Sequence, residues 1–351
     1  MNLKVLFIAV FFLLNNAAAS EDFVSSSLSL AVPEYYIRSA DDLKSIEYQS
    51  NVSSYFHLMN DIDITDEIWN PIGSANRPFS GTFYGNNHTI TFTGNSELMQ
   101  PAGFENEGCG LFGNIYSGKI YDLNLVLQGN LTSNEKNTGT FAGIVNGNYS
   151  SQWHSSAFIN CSVSAKNASV SGLNNVGGFV GYIVNASVEN CSSDCSVISK
   201  GYNAGGLAGA VFNGTFAHSS AAGSVESAGT AGGFIGSLRL GNISNSSATG
   251  SVKSESSAGG LIGYISAETV ISDSAADGTV EPGGVFGNFI GGWDENYKPE
   301  IINCFYQGKK VDLKPVPAAD YSSTYLMAGV VLIILIAAAA IIYFKMNYGS
   351  R

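Results

Sequence analysis

Gly113-Asn-Ile-Tyr-Ser-Gly118-Lys119 has the glycine and lysine spacing of a phosphate-cradling loop. Ile120, however, stands where that chemistry needs a Ser or Thr hydroxyl on Mg²⁺. Gly108-Cys-Gly110-Leu-Phe-Gly113 fits a dinucleotide fingerprint, but no helical pattern follows to receive a pyrophosphate. Asp61, Asp63, Asp66 and Glu67 are dense enough to attract Ca²⁺. An EF-hand loop would need Gly and Glu where Asp66 and Ile72 stand. Ile62 and Ile64 alternate with these acids, the pattern of a strand with an outward polar face. His57, His88, His154 and His218 show no metal-ligand spacing, and no G-x-S-x-G occurs. No catalytic, cofactor-binding or metal residues are expected.

Two further chemistries concern modification. Eleven N-x-[ST] sequons occur, which are glycan acceptors where exposed outside the cell. Asn51, Asn87, Asn130, Asn148, Asn167, Asn185, Asn213 and Asn242 are the glycosylation candidates. The other three, Asn160, Asn190 and Asn245, occupy a repeat position with a structural use. Of five cysteines, Cys161 and Cys191 each follow that Asn. They are a disulfide candidate across neighbouring coils, with buried thiols acting as small hydrophobes the equal alternative.

The elements that must position these residues are repetitive. The word G-[LFV]-x-G recurs at Gly110–Gly113, Gly178–Gly181, Gly206–Gly209, Gly233–Gly236, Gly260–Gly263 and Gly284–Gly287, with Thr140-Phe-Ala-Gly143 as a seventh copy. The steps are 30, 38, 28, 27, 27 and 24 residues. A second word follows each: an apolar residue, any residue, then a polar one at Asp122, Asn160, Asn190, His218, Asn245, Asp273 or Asn303. A fixed period of this length with period-two patterning indicates a solenoid of strands. We therefore expect an all-β fold, a right-handed parallel β-helix, with the hand set by the crossover rule. About ten coils at ~4.8 Å each give a rod of roughly 50 Å.

Stacking gives identical positions a meaning. Asn160, Asn190, Asn245 and Asn303 should form an amide ladder at a bend, interrupted by Asp122, His218 and Asp273. Glu226, Lys253 and Glu281 alternate in sign at one position and should pair across strands. The first word is apolar on both faces, as in Phe234-Ile235 and Leu261-Ile262. Either a sharp bend hides both faces, or that sheet associates laterally with another molecule. A polysaccharide-cleaving β-helix would need carboxylates clustered over neighbouring coils. Here Asp194 and Asp277 share a position but are separated by coils carrying Ala222 and Thr249.

The ends are different. Residues 1–19 read as a signal peptide with an Ala-rich exit, and 20–34 as a linker. Residues 35–311 are the β-helix, with a cap over 35–105 and regular coils over 106–311. Ser39-Ala-Asp-Asp42 has a capping-box-like start for a short helix at its beginning. Residues 312–324 form a stalk stiffened by proline, 325–344 an apolar transmembrane helix, and 345–351 a cytoplasmic tail with Lys345 and Arg351. The chain carries net charge −12, which disfavours nucleic acid as a partner.

Tyr35-Tyr-Ile-Arg-Ser-Ala-Asp-Asp-Leu-Lys-Ser-Ile46, then NDIDIT, WNPIG, PFSGTFYGNNHTI and the G-[LFV]-x-G copies resemble the GLUG-motif repeat proteins of archaeal and bacterial surfaces. The resemblance spans about Tyr35 to Gly308 and implies an adhesin-like β-helical exterior domain, with no catalytic motif to carry over. The expected protein is a single-pass, membrane-anchored surface glycoprotein that binds cell-surface or environmental glycans or proteins. A glycosylated structural component of the envelope, self-associating laterally, is the second expectation, and a carbohydrate-active enzyme the third.

Overall fold

A computed structural model describes residues 32–49, 54–94, 108–147, 156–165, 167–282 and 284–313. The signal peptide, nearly all of the linker, most of the stalk, the transmembrane segment, the tail, Asn51, Asn148 and His154 lie outside these residues. Among the described residues no helix is long and apolar enough to cross a membrane. The chain divides into Met1–Pro33 and Glu34–Arg351, and every strand belongs to the second unit.

The solenoid is seen most clearly in one turn. Asn203–Gly205 leads through a tight corner to the long strand Ala208–Ala217, which is followed by Ser220–Ala221 and Val225–Ser227. Thr230–Gly232 then repeats Asn203–Gly205 one layer on, pairing with it in parallel. Stacking such turns builds four sheets, which the chain visits in the order 7, 14, 10 and 6 strands, parallel throughout save for one terminal antiparallel pair, Phe305–Tyr306 with Lys309–Lys310. The result is an all-β right-handed parallel solenoid of about eight turns, fewer than the ten coils expected. Ten strands do stack along the main path of the largest sheet, from Glu34–Ile37 onward. Among the described residues the smallest sheet holds six, beginning at Leu131–Thr132.

Alternation places one column inward and the next outward. On the largest sheet Phe56, Phe83, Ile120, Phe158, Val188, Phe216, Ile243 and Ile271 lie in register and are buried. The helix Ala40–Gln49 starts as its sequence predicts. The Asp42 amide donates to Ser39 Oγ at 3.2 Å, satisfying one orphan N–H of the first turn, and Asp42 Oδ2 accepts from the Arg38 amide, just before the cap, at 2.8 Å. Its apolar side, Leu43 and Ile46, is fully buried.

The glycine word marks the corner between the seven-stranded and the largest sheet. Phe234, Ile235, Leu261 and Ile262 are all buried there, so a sharp bend hides both apolar faces. A Cβ on Gly236 would meet the backbone oxygens of Gly209 at 2.5 Å and Ala204 at 2.7 Å. Only glycine lets the two sheets approach this closely. The same register corrects the last copy of the word. Ile262 pairs with Ile290, and the Leu261 amide donates to Phe289 O. Asn288-Phe-Ile-Gly291 is therefore the true copy, with Asn in the place of the first glycine, whereas Val285–Gly287 belongs to the preceding strand, paired with Ser257–Gly259. The apparent 24-residue step came from a chance match four residues early.

Candidate binding faces of the solenoid

The polar residues of the second word are the hinge of every turn. Asp122, Asn160, Asn190, His218, Asn245, Asp273 and Asn303 all have φ between 47° and 56°. Asn and Asp tolerate this left-handed backbone best among residues with a side chain. That requirement, more than the amide bonds, selects them. The expected ladder is present in part. Asn160 Nδ2 donates to Asp122 Oδ1 at 2.8 Å, Asn190 Nδ2 to Asn160 Oδ1 at 2.7 Å, and Asn303 Nδ2 to Asp273 Oδ1 at 2.7 Å. Asn245 shares the conformation.

The next residue of each turn points inward and builds a second ladder that periodicity alone did not reveal. Ser219, Ser246 and Ser274 each donate to the carbonyl two residues back, at 2.7–2.9 Å. Each hydroxyl also accepts an amide from the turn before: Cys191 onto Ser219, Ser219 onto Ser246, and Ser246 onto Ser274. Cys161, Cys191 and Cys304 sit at the same position and imitate serine, their thiols donating to Ile159, Glu189 and Ile302 carbonyls. Cys161 and Cys191 are neighbours, as their spacing predicts, and both are free buried thiols in the structure. Burial pushes the Cys161 thiol well above its ordinary pKa, with the Cys191 side chain adding to the rise. Burial likewise pushes Cys109 up to about 11 and Cys195 up to about 12. These thiols are protonated and shielded, the opposite of a reactive nucleophile.

Two more amide ladders run on other corners. Asn175 Nδ2 donates to Asn137 Oδ1 and Asn203 Nδ2 to Asn175 Oδ1, both at 2.8 Å. Asn213 Nδ2 donates to Asn185 Oδ1 at 2.9 Å, where the long strands bend with φ of 53° and 57°. Both Asn185 and Asn213 are half-buried sequon residues, so their amides have a structural use that the sequon pattern does not show. Asn87, Asn130, Asn167 and Asn242 are exposed. Asn130 still accepts from the amide and hydroxyl of Ser169 through Oδ1, at 3.0 Å each.

The groups weighed for catalysis or metal binding do not converge. Asp61 accepts from His88 Nδ1 at 3.2 Å and from the Thr89 amide at 2.8 Å. That amide, then the His88 ring, holds its carboxyl below the usual range. Asp63 accepts from the Thr65 amide and hydroxyl, and Glu67 pairs with Lys44 at 2.7 Å. Asp194 accepts from the Ala165 amide and Ser164 hydroxyl. Gly113 lies inside the strand Phe112–Tyr116, which bends at Ser117 with φ 56° before Lys119–Tyr121, so the Gly–Lys spacing is a kinked strand. Among the described residues no three His, Cys, Asp or Glu side chains come together as a metal site.

What the outer surface does carry is rows. Tyr36, His57, Tyr84 and Tyr121 stack in register, with ring centroids 5.5, 5.1 and 5.4 Å apart and ring planes within 23° of parallel. Tyr55 leans against Tyr84 at 6.2 Å. The rings face one another, so the row turns ring edges and phenol hydroxyls outward. Burial raises the pKa of Tyr84 and Tyr121, and a hydrogen bond to Glu34 raises that of Tyr36, so the phenols stay protonated donors. On the six-stranded sheet Glu226, Lys253 and Glu281 lie in register as expected, and Lys253 Nζ is 3.4 Å from Glu226 Oε1. Elsewhere Arg239 lies over the Phe212 ring at 5.1 Å.

No curated protein matches the sequence significantly. Among solved structures, a crystal structure from Bacteroides ovatus described as a "putative immunoglobulin A1 protease" is similar over 80% of this chain and 79% of its own. The TM-score is 0.50 and the identity 20%, which speaks for a shared fold alone. The GLUG motif is matched at residues 172–198 and 227–253. Gly172 pairs with Ser199, Ser199 with Ser227, and Ser227 with Ser254. Each matched stretch is therefore one complete turn, with residues 199–226 forming the turn between. With the motif coinciding with the structural repeat, the chain is a GLUG-motif repeat protein.

Proposed function

We propose that this protein is an adhesin-like component of the cell surface, held in a membrane by residues 325–344 and presenting its solenoid to glycans or proteins of other surfaces. The observation that carries this reading is the in-register row. Each outward position recurs once per turn at ~4.8 Å, on a scaffold whose interior is close-packed and laddered. A ligand that itself repeats, such as a polysaccharide or a glycoprotein coat, meets many equivalent contacts, and weak contacts then sum by multivalency. The Tyr36–His57–Tyr84–Tyr121 row supplies aromatic bodies with polar tips, a surface type suited to half-wet recognition. The apolar corner that could have served lateral association is buried within the solenoid instead, which favours adhesion over an envelope-building role.

The test is retention of a panel of polysaccharides and of whole cells by the full chain in detergent micelles coupled to beads, with soluble sugar measured alongside. Retention without released sugar, reduced several-fold by Tyr84→Ala, is the expected result. Retention of nothing in the panel would remove the reading, and release of soluble sugar would replace it with a carbohydrate-active enzyme.

A further inference from the structure

One corner of the solenoid carries a residue too many. Gly172, Ser199, Ser227 and Ser254 stack in register at the end of the six-stranded sheet. Asn175, Asn203, Thr230 and Ser257 stack at the start of the seven-stranded one. Leu173-Asn174, Ala228-Gly229 and Glu255-Ser256 each join these positions with two residues, whereas Lys200-Gly201-Tyr202 uses three. The layers on either side close the same corner with two, so stacking does not require the third. It crowds the layer beneath, where a Cβ on Gly201 would overlap Leu173 O.

The extra residue displays a ring. Tyr202 is 69% exposed, more than any other large apolar side chain among the described residues. Its backbone is fixed: Tyr202 O accepts from the Thr230 amide and from Ser227 Oγ, and the Asn203 amide donates to Asn174 O at 2.7 Å. At the other end of the turn the Lys200 amide donates to Gly172 O at 3.0 Å. In the tyrosine row each ring is stacked on a neighbour, but Tyr202 has no ring partner among the described residues. Leu173 and Ile198 are exposed around the same corner. So are Lys200 and, two layers below, Lys136, and among the described residues neither lysine forms an ion pair. Glu135 beside Lys136 is half-buried, and Glu226, in register with Ile198, is matched by Lys253. Cations thus stand beside exposed apolar surface on a chain of net charge −12.

We propose that Tyr202 is the platform of a binding site for a carboxylated sugar residue, with Lys200 the cation that meets the carboxylate. This rests on the reading of the solenoid as a glycan-binding surface, and adds to the tyrosine row a contact of different chemistry. The negative face of an open aromatic ring attracts the weakly positive C–H hydrogens of a sugar. A lysine gives a carboxylate a charge-assisted hydrogen bond that a neutral sugar cannot take up. Because the turn is held before any ligand arrives, ordering it on binding costs little. Size favours a glycan over a protein: a stable protein interface covers about 800 Å² on each partner, far more than three apolar side chains on one corner present.

The test offers the full chain, in detergent micelles on beads, oligosaccharides of galacturonic, glucuronic and sialic acid, each also as its methyl ester. Polyglutamate and neutral polysaccharides run alongside. At least one acidic oligosaccharide should be retained. Its retention should fall about tenfold, equivalent to ~1.4 kcal/mol, on Tyr202→Ala, and several-fold on esterification or Lys200→Gln. Tyr202→Phe, which keeps the ring, should bind as the native chain does. The proposal is overturned if no acidic oligosaccharide is retained, if the esters bind equally, or if Tyr202→Ala changes nothing. Equal loss with Tyr202→Phe would also overturn it, as would polyglutamate held through Tyr202 in place of any sugar. Neutral polysaccharides or cells still held through Tyr84 would then leave the adhesin reading standing while this site falls alone.

Discussion

The turns before and after Val188 solve the same packing problem with different materials. In the earlier turns large rings fill the interior. Phe56 meets Phe79 at 5.7 Å, Phe79 meets Phe112 at 5.1 Å, and Phe141 meets Phe158 at 5.4 Å and Phe179 at 4.6 Å. The inner column of the ten-stranded sheet reads Ile62, Ile90, Leu125 and Val163 there, then Ser193, Ala221, Ala248 and Ala276. On this sheet the later turns replace bulk with small residues, flanked by inner serines that bond from layer to layer. Bulk tolerates turns of unequal length, and the steps of 30 and 38 residues fall in the earlier part. Small residues with directional bonds demand an even period, and the later steps keep within a residue of 27 once the last copy is placed at Asn288.

The sharpest way to break this contrast is to remove bulk where bulk is the support. Phe141→Ala should cost about 3–5 kcal/mol, read from the urea unfolding midpoint together with amide exchange of flanking layers. If the later turns rely on close approach, adding one methyl there should cost nearly as much. Gly236→Ala should lose about 1–3 kcal/mol or more, because both atoms its Cβ meets are backbone and cannot swing aside. Ser246→Ala should cost about 1–3 kcal/mol by orphaning the Ser219 amide, and Ser246→Cys should recover part of that, as Cys191 does in its own turn. A change in the opposite direction is expected at Leu240, a bulky residue at φ 64° where its neighbours in the column are Asn213 and Asn185. Leu240→Asn should stabilise by roughly 1 kcal/mol, seen as a higher unfolding midpoint.

The smallest effect concerns the helical start. Asp42's carboxyl is held below its ordinary pKa, chiefly by the Arg38 amide. A depressed folded pKa gives stability that is present above the unfolded value near ~3.9 and lost as pH falls through the folded one. Amide exchange of Arg38 should therefore quicken below about pH 4 while Val225, deep in the later turns, is unaffected. Asp42→Asn should remove most of that pH dependence.

Much of this was legible because a solenoid writes its cross-section into the chain once per turn. The period, the polar hinge at Asn160, Asn190 and Asn303, the Glu226–Lys253 pair and the capping of the helix at Ser39 all follow from local rules. Three things did not. A G-[LFV]-x-G string at Gly284 matched by composition while its register belonged to another strand, and only pairing partners separate the two. The inner serines were hidden because Ser, Ala and Cys are interchangeable in size, and hydrogen-bond direction has no signature in hydropathy. The bend at Asn185 and Asn213 is hidden behind their sequons, since a left-handed backbone and a sequon ask for the same residue.

The coincidence of motif and turn has a consequence for inheritance. Excising residues 199–226 would join Ile198 to Ser227, which occupies the stacking place that Ser199 vacates. The columns above and below would meet with every hinge, hydroxyl and corner glycine still aligned. A gene that loses or copies such a block by slipped recombination therefore changes only the height of its product. Length is the one dimension this architecture leaves free to drift, and it can be reset in whole layers without redesigning any of them.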